Sequence, residues 1–508
     1  MQNTIGIASL PTELFCNVFL KNTERDNSKH NRLVTARHSS QVCQSWRLIL
    51  LAFPSIWGRL LDLDYFEKGK ETWRQEVISR SGGAPLWITG RILSPSTSTF
   101  FISLMCDNWE RVQHLEIGAT SRGPDERWSF LRRAAPNLER LSIKLFNWGT
   151  SRYDDRHDGP LAIQSLFSDV APRLKTFRVP GCFQFEINTP CFSNIHIFTF
   201  PPEHTLSTIF SLLKLMPRIT HLRVEAGRYV LHPPVQETDL ARIDLPMLES
   251  LQILRRDSLE ALALLKCITP SSRCGLVLAH ELRHARSYRD PVHVWPPPST
   301  TYDVILKWVF AYLNGHPPNF IKLDTVCVGD RSNDLVRLAI SDCNFKVPVY
   351  YIPVEQRALY VEAFLDPSGL SFVQELATSS NLFCAVERLH LDNEVVPSDL
   401  YPVYHTFSSV SELTLGYQPS GWYKCGDGTT VQPCHAALFP RLHTLMLEGI
   451  FFGDHLEQVV EYLEYRWEIG WRVSILNLSQ LLYDPGCVGM RDRLGKLDGL
   501  VVIYKTAD

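Results

Sequence analysis

The chain has 508 residues, 45% of them hydrophobic and 21% charged, with a formal net charge of −3. That apolar content excludes wholesale disorder, and the near-neutral balance excludes a global field for nucleic acid or anionic membrane. The length corresponds to roughly three ordinary domains, unless a repeat array runs long as one unit. Met1 to Leu20 lacks the basic start of a signal peptide, and Pro11 and Glu13 break its apolar stretch. The apolar run Ile209 to Met216 is interrupted by Lys214 and closed by Pro217, far short of a membrane span. We therefore expect a soluble protein.

Leu10-Pro11-Thr12-Glu13-Leu14 opens a first helix, with Pro in the first turn and Glu13 near the positive end of the dipole. Leu14, Val18 and Phe19 are expected on one face. A polar, charge-rich stretch from Lys21 to Arg32 reads as a loop. A second helical pattern then sets Val42, Trp46, Ile49 and Leu50 on a stripe, with Arg47 pointing away, and Pro54-Ser55-Ile56-Trp57 ends it.

In order, these residues read Leu-Pro-x-Glu-Leu, Val-Phe-Leu, Val-Cys-x-x-Trp-Arg and Pro-x-x-Trp. This resembles an F-box, in the form abundant in mushroom-forming fungi. Trp73-x-x-Glu76-Val77-Ile78-x-Arg80-Ser81-Gly82 and Ala84-Pro85-Leu86 resemble the segment that follows it. The likeness is specific at residues 10–20 and 42–57 and extends to about residue 90. It departs from the family's pattern where Arg37, His38, Ser39 and Ser40 replace much of an apolar run. The resemblance implies docking on the Skp adaptor of SCF ubiquitin ligases, and through it on cullin. It assigns that contact to Leu10, Pro11, Leu14, Val18 and Phe19, with Val42, Cys43 and Trp46 behind or beside them. Helices in an apolar groove would supply the affinity, through a few aliphatic and aromatic anchors.

Beyond this head, an apolar-x-x-apolar-x-apolar pattern recurs: Val112/Leu115/Ile117, Leu138/Leu141/Ile143, Leu174/Phe177/Val179, Ile195/Phe198/Phe200, Ile219/Leu222/Val224 and Leu248/Leu251/Ile253. After a gap come Val386/Leu389/Leu391, Val410/Leu413/Leu415, Leu442/Leu445/Leu447 and Val473/Leu476/Leu478. Several begin two places after a proline, as in Pro136-Asn137-Leu138 and Pro440-Arg441-Leu442. Each unit predicts a short strand, and helical spacing lies between units, as at Leu206/Ile209/Phe210/Leu213 and Leu456/Val459/Val460/Leu463. A strand–helix unit cannot bury its own apolar face, so neighbours must stack.

The expected fold class is α/β: an N-terminal helical F-box followed by an irregular leucine-rich-repeat solenoid, strands concave and helices convex. We expect the F-box at residues 1–65, a helical or extended linker at 66–100 and the solenoid at 101–508. Residues 285–380 show no clean unit. They contain Pro296-Pro297-Pro298 and one helix, with Tyr302, Ile305, Leu306, Val309, Tyr312 and Leu313 on a face and Asn314-Gly315 at its end. Residues 417–436 read as a long loop.

The 13 cysteines include no C-x-x-C pair, and many sit in apolar stretches such as Val42-Cys43 and Leu382-Phe383-Cys384. They read as buried thiols in a reducing compartment, cytoplasmic or nuclear. His280-Glu281-Leu282-Arg283-His284 matches H-E-x-x-H, in which two His at i and i+4 could bind zinc with Glu281 as base. No glutamate follows until Glu355, and Asp290-Pro291 ends any helix, so a zinc hydrolase is a remote alternative. We expect no cofactor, no catalytic residue and no nucleic-acid or membrane partner.

Arg140, Arg178, Arg223 and Arg388, with Lys144 nearby, recur at outward strand positions. They read either as solvated residues interspersed with Glu116, Glu225, Glu412 and Glu448, or as a basic patch for an acidic or phosphorylated target peptide. The functional expectation is a non-catalytic substrate receptor of an SCF-type ligase, with a non-ligase protein-binding scaffold as the alternative.

Overall fold

The computed structural model describes residues 11–24, 32–67, 69–120, 126–146, 161–163, 165–179, 183–185, 190–200, 204–225, 242–254, 258–279, 298–328, 335–343, 352–365, 382–393, 400–416, 438–449, 453–481 and 488–504, with isolated positions between 372 and 378. The fold class is α/β, with helices beside a mostly parallel sheet. Two compact units divide the chain, Met1–Thr220 and His221–Asp508. Among the described residues, no helix is long and apolar enough to cross a membrane.

The first unit begins with helices α1 (Thr12–Lys21), α2 (Arg32–Ser39), α3 (Gln44–Ala52) and α4 (Pro54–Gly58). Phe15 and Phe19 of α1 meet Trp46 of α3 edge-on, with ring centroids 5.6 and 5.3 Å apart. Trp57 is buried and donates from Nε1 to the Leu50 carbonyl at 2.7 Å, tying α4 to α3. The segment beyond folds as α5 (Leu63–Glu67) and α6 (Glu71–Ser81), and α6 ends at Gly82, whose φ of 48° suits glycine.

The face expected on α1 is divided. Phe19 is buried with Phe15 and Cys16, whereas Leu14 is 48% and Val18 52% exposed. At 100° per residue, Phe19 sits roughly 140° around the helix from Leu14, while Val18 sits roughly 40° from it. Two apolar arcs therefore share one helix, and the aromatic arc faces inward.

Strands β1 (Leu61–Asp62), β2 (Leu86–Ile92), β3 (Val112–Thr120), β4 (Arg140–Phe146), β6 (Thr176–Arg178) and β8 (Ile197–Phe200) pair in parallel in that order. β5 (Leu161–Ile163) and β7 (Phe183–Phe185) form a separate pair. Helix α7 (Pro95–Asn108) connects β2 towards β3, and α8 (Leu206–Leu213) follows β8; among the described residues between β3 and β8, the helical pieces are short 3-10 turns.

In the second unit, β9 (His221–Glu225), β10 (Ser250–Leu254) and β11 (Gly275–Ala279) are parallel. β12 (Phe320–Val328), β13 (Leu335–Ser341) and β14 (Tyr360–Leu365) form an antiparallel meander. It joins the sheet through parallel pairings at both ends, β14 with β11 and β12 with β15 (Arg388–Asn393). Parallel pairing resumes through β16 (Glu412–Leu415), β17 (Thr444–Gly449), β18 (Ile475–Leu481) and β19 (Val501–Ile503). Helices α9 (Ser258–Cys267) and α10 (Pro298–Gly315) lie in this unit, as does Gly453–Glu468. The region without a clean repeat thus contributes three strands to the sheet, and all six named apolar residues of α10 are buried.

Every residue of the ten apolar triplets is buried, Val473 at 7% being the most exposed. Their middle residues stack in register: Leu115, Leu141, Phe177 and Phe198 in the first unit, then Leu222 with Leu251, and Leu389, Leu413, Leu445 and Leu476 in the second. The lead-in residues tie neighbouring units together. Asn137 donates to the Glu110 carbonyl at 2.9 Å and Asn194 to the Pro172 carbonyl at 3.0 Å. Arg173 and Arg218 then donate back to the Asn137 and Asn194 oxygens at 3.2 and 3.0 Å.

Cysteine burial is mixed. Cys16, Cys191, Cys267 and Cys274 are buried, but Cys43 and Cys384, expected inside, are exposed. Cys43 precedes α3, and its sulfur accepts from the Trp46 N–H at 3.5 Å, so it caps the helix at the surface.

Candidate functional site

Two kinds of surface carry the candidate side chains. The first is on the N-terminal helices. Pro11 and Cys43 are exposed, as are Leu14, Val18 and, at 63%, Val42, while Trp46 is half-buried. Phe19 is buried behind them against Trp46, and Leu10 lies outside the described residues. Leu48, 60% exposed, and Leu51, 39% exposed, add to the apolar surface of this unit, and the sequence reading missed both. The run Leu48-Ile49-Leu50-Leu51 covers more than half a helical turn, so it could not all face inward; that was the available signal.

The second surface is the open face of the strands, opposite the buried triplets. In the first unit, Arg140, Lys144 and Arg178 share it, at alternate positions of β4 and at the end of β6. Arg140 donates to Glu116 at 3.0 Å, so part of its charge is neutralised. Beside them, Trp87 stacks on His114 and the Arg59 guanidinium lies 4.2 Å from the Trp87 ring centre. Burial, then the nearby Arg140, pushes the His114 ring down to about 4 from its ordinary 6.5, keeping it neutral at pH 7. A polar chain runs along the strand entries: Trp87 donates to Gln113, Gln113 to Glu139 (both 2.8 Å) and Lys175 to Glu139 (3.0 Å).

The other two arginines are in the second unit and not together. Arg223 is on β9 and Arg388 on β15, with β10, β11, β14, β13 and β12 between them in the sheet. Arg223 is committed internally: it donates to the Gln252 amide oxygen at 2.8 Å and to the Ile352 carbonyl, and its side chain is 15% exposed. Gln252 donates to the Pro353 carbonyl at 3.0 Å and Ser250 to the Gln356 carbonyl at 3.4 Å. The segment from Ile352 to Gln356 therefore lies over the open face here, and every residue of β10 and β11 is buried. A target-binding role for Arg223 does not fit this packing.

Arg388 borders a cavity of about 430 Å³ on the open face of β12, β15, β16 and β17. His390, Thr414 and Met446 form its floor in one register row, with Glu412 and Glu448 to either side. His390 is 5% exposed, its Nε2 has no hydrogen-bond partner, and burial with the nearby Lys322 holds its ring down at about 4. Lys322 itself is paired with Asp392 at 2.9 Å. At one end, Asp342 accepts from Tyr312 at 2.7 Å and from the Leu359 N–H at 2.9 Å. Burial, then Asp342, raises the neighbouring Cys343 thiol to about 12, which favours the protonated thiol at pH 7.

His280, Glu281 and His284 lie outside the described residues. Among the described residues, no group of three His, Cys, Asp or Glu side chains could hold a metal ion. No protein-family model matches the chain, and no curated protein matches its sequence.

Proposed function

We propose that the chain is a substrate-recognition subunit of an SCF-type ubiquitin ligase. In this reading the N-terminal helices are an F-box that docks the Skp adaptor and, through it, cullin. The stacked strand–helix units are a leucine-rich-repeat-like solenoid, strands on the concave side, that holds a target protein. Ubiquitin transfer would follow from proximity, because a receptor raises the target's effective concentration beside a charged conjugating enzyme. No residue of this chain then need do chemistry.

The observation that carries the proposal is the pairing of Leu14 with Val18. Both project from α1 at half exposure, and Val42 is exposed ahead of α3, while Phe15, Phe19 and Trp46 pack together inside the module. A helix that already has an inward aromatic arc has no internal use for a second apolar arc, and a partner's groove gives it one.

Co-expression of the full chain with a Skp-type adaptor tests this reading. The wild-type protein is expected to co-purify with the adaptor, and the Leu14→Asp/Val18→Asp variant to lose it while keeping its melting temperature. Absence of adaptor binding by the wild type would end the ligase reading in favour of a scaffold that uses the helices as a cap.

A further inference from the structure

We infer that the strand-entry rim around Arg441 and Arg472, in the second unit, docks an acidic segment of a partner polypeptide that also carries an apolar anchor. Neither the N-terminal helices nor an adaptor takes part, so this surface would serve a scaffold as well as a ligase receptor.

Charge at the lead-in position is the first argument. Asn137, Arg173, Asn194 and Arg218 each stand one residue before the first apolar residue of a triplet. There the two arginines are consumed, each donating to the asparagine oxygen of the preceding unit, at 3.2 and 3.0 Å. In the second unit, Arg441 and Arg472 hold that position in consecutive units, ahead of the paired strands β17 and β18. Neighbouring strands lie about 4.8 Å apart, so the two arginines leave the backbone roughly one strand spacing from each other, with no amide between them. Both are exposed, and among the described residues neither side chain makes a hydrogen bond or an ion pair. That includes Glu468 and Asp498, the carboxylates on the flanking turns. Two adjacent cations favour an anionic partner, and each guanidinium fork matches one carboxylate.

The apolar part of the rim is the second. Ile469 is 41% and Trp471 37% exposed, on the turn that carries Arg472. The Arg472 guanidinium lies 5.0 Å from the Trp467 ring centre, which sets one of the two cations beside these apolar groups. Exposed Trp and Arg side by side have the composition of an interface centre.

Rigidity is the third. The Gly470 N–H donates to the Trp467 carbonyl at 3.2 Å and the Trp471 N–H to the Arg466 carbonyl at 2.9 Å, closing the helix end around Gly470, whose φ is 82°. Buried Arg466 donates to the Trp471 carbonyl on this turn and to the Leu438 and Phe439 carbonyls beside Arg441. One side chain thus holds both turns, and a surface already fixed loses little entropy on binding. Side chains two apart on an extended chain share a face at about 7 Å, so Glu-x-Glu-x-Phe presents two carboxylates and an anchor to the rim together.

The test uses the full-length protein and fluorescein-labelled peptides with Gly-Ser flanks, read by fluorescence anisotropy. A peptide centred on Glu-Ser-Glu-Ser-Phe is expected to bind saturably, and more weakly as salt is raised. Exchanging both glutamates for glutamine, or using the Arg441→Gln/Arg472→Gln protein, should weaken binding at least tenfold. Trp471→Ser, or Ala in place of the peptide Phe, should weaken it at least threefold. Arg441→Glu/Arg472→Glu should reverse the preference, so that Lys-Ser-Lys-Ser-Phe binds the better. Arg173→Gln, at the same lead-in position in the first unit, should leave binding unchanged. Melting temperatures of all variants are expected to match the wild type. No saturable binding by the wild type would overturn the inference. So would equal affinity for the glutamate and glutamine peptides, or a glutamate-peptide affinity indifferent to the arginine variants. Binding of phosphoserine peptides alone, or of phosphatidylserine vesicles in place of peptide, would overturn it as well.

Discussion

Trp87 and His114, paired on adjacent parallel strands, stack with ring centroids 4.2 Å apart and planes within 16° of parallel. The stack covers the imidazole, and Arg140 next to it opposes a second positive charge. His390 in the second unit is in the same position, buried and beside Lys322.

Both rings have folded-state values of about 4 against an ordinary 6.5. Between those values the unfolded chain binds protons that the folded chain refuses, so stability rises with pH across that window. Above 6.5 the two histidines contribute no pH dependence. The expected outcome is a urea midpoint that is flat with respect to these groups above pH 6.5 and falls as pH drops towards 4. In a His114→Gln/His390→Gln variant, the fall should be shallower by chemical denaturation at matched ionic strength. An equally steep fall would mean that carboxylates account for all of it.

Arg466 sets a second prediction. It is fully buried, and its guanidinium donates to the carbonyls of Leu438 (2.8 Å), Trp471 (3.0 Å) and Phe439 (3.1 Å). It thereby pins the turn before β17 and the turn after helix Gly453–Glu468 to that helix. Arg466→Met keeps the stem but leaves several carbonyls unmet, which should cost about 3 kcal/mol. Arg466→Lys keeps the charge but not the planar fork, and should fall between. Equilibrium denaturation of the three proteins gives the order.

The ten triplets were legible because one-sided burial of a short strand writes itself into the chain as alternation, and Leu389, Leu413 and Leu445 alternate cleanly. The inward face of α1 was not. Leu14/Val18 and Phe15/Phe19 have the same i, i+4 spacing, and periodicity cannot say which pair meets Trp46. Arg223 looked like Arg388 in sequence, since each sits next to the middle leucine of its triplet, Leu222 or Leu389. What separates them is the Ile352 to Gln356 segment, which is more than a hundred positions away and carries no repeat of its own. The cavity was equally hidden, because Glu412, His390 and Glu448 come together only through the register of β15, β16 and β17.

The two arcs of α1 predict opposite mutational behaviour. Leu14→Asp and Val18→Asp alter half-exposed positions and should each change stability by no more than about 0.5 kcal/mol. Phe19→Asp buries a carboxylate against Trp46 and Phe15 and should unfold the helical module. Far-UV circular dichroism and thermal melts separate the two classes. Unfolding by Val18→Asp would mean that this face is already covered within the protein.

Gly275 tests whether the chain from Ile352 onward truly lies against the sheet. It opens β11, and a methyl group placed on its Cα would come within 2.6 Å of the Ala358 carbonyl oxygen and 2.7 Å of the Ala358 nitrogen. Both are backbone atoms, and neither can swing aside as a side-chain tip could. The Leu359 N–H next to them is held by Asp342, which also accepts from Tyr312 on α10, so a shift there strains the α10 contact as well. The backbone angle at Gly275 is one that alanine can adopt, so the cost is steric and not conformational. Gly275→Ala should therefore lose about 1–3 kcal/mol, the usual range for overpacking. Gly83→Ala, at a glycine with nothing within 4 Å of the new methyl, should be close to neutral. Hydrogen exchange should locate the Gly275→Ala loss in β11, β14 and the 352–359 segment. An unchanged melting temperature would show that this segment does not press on β11.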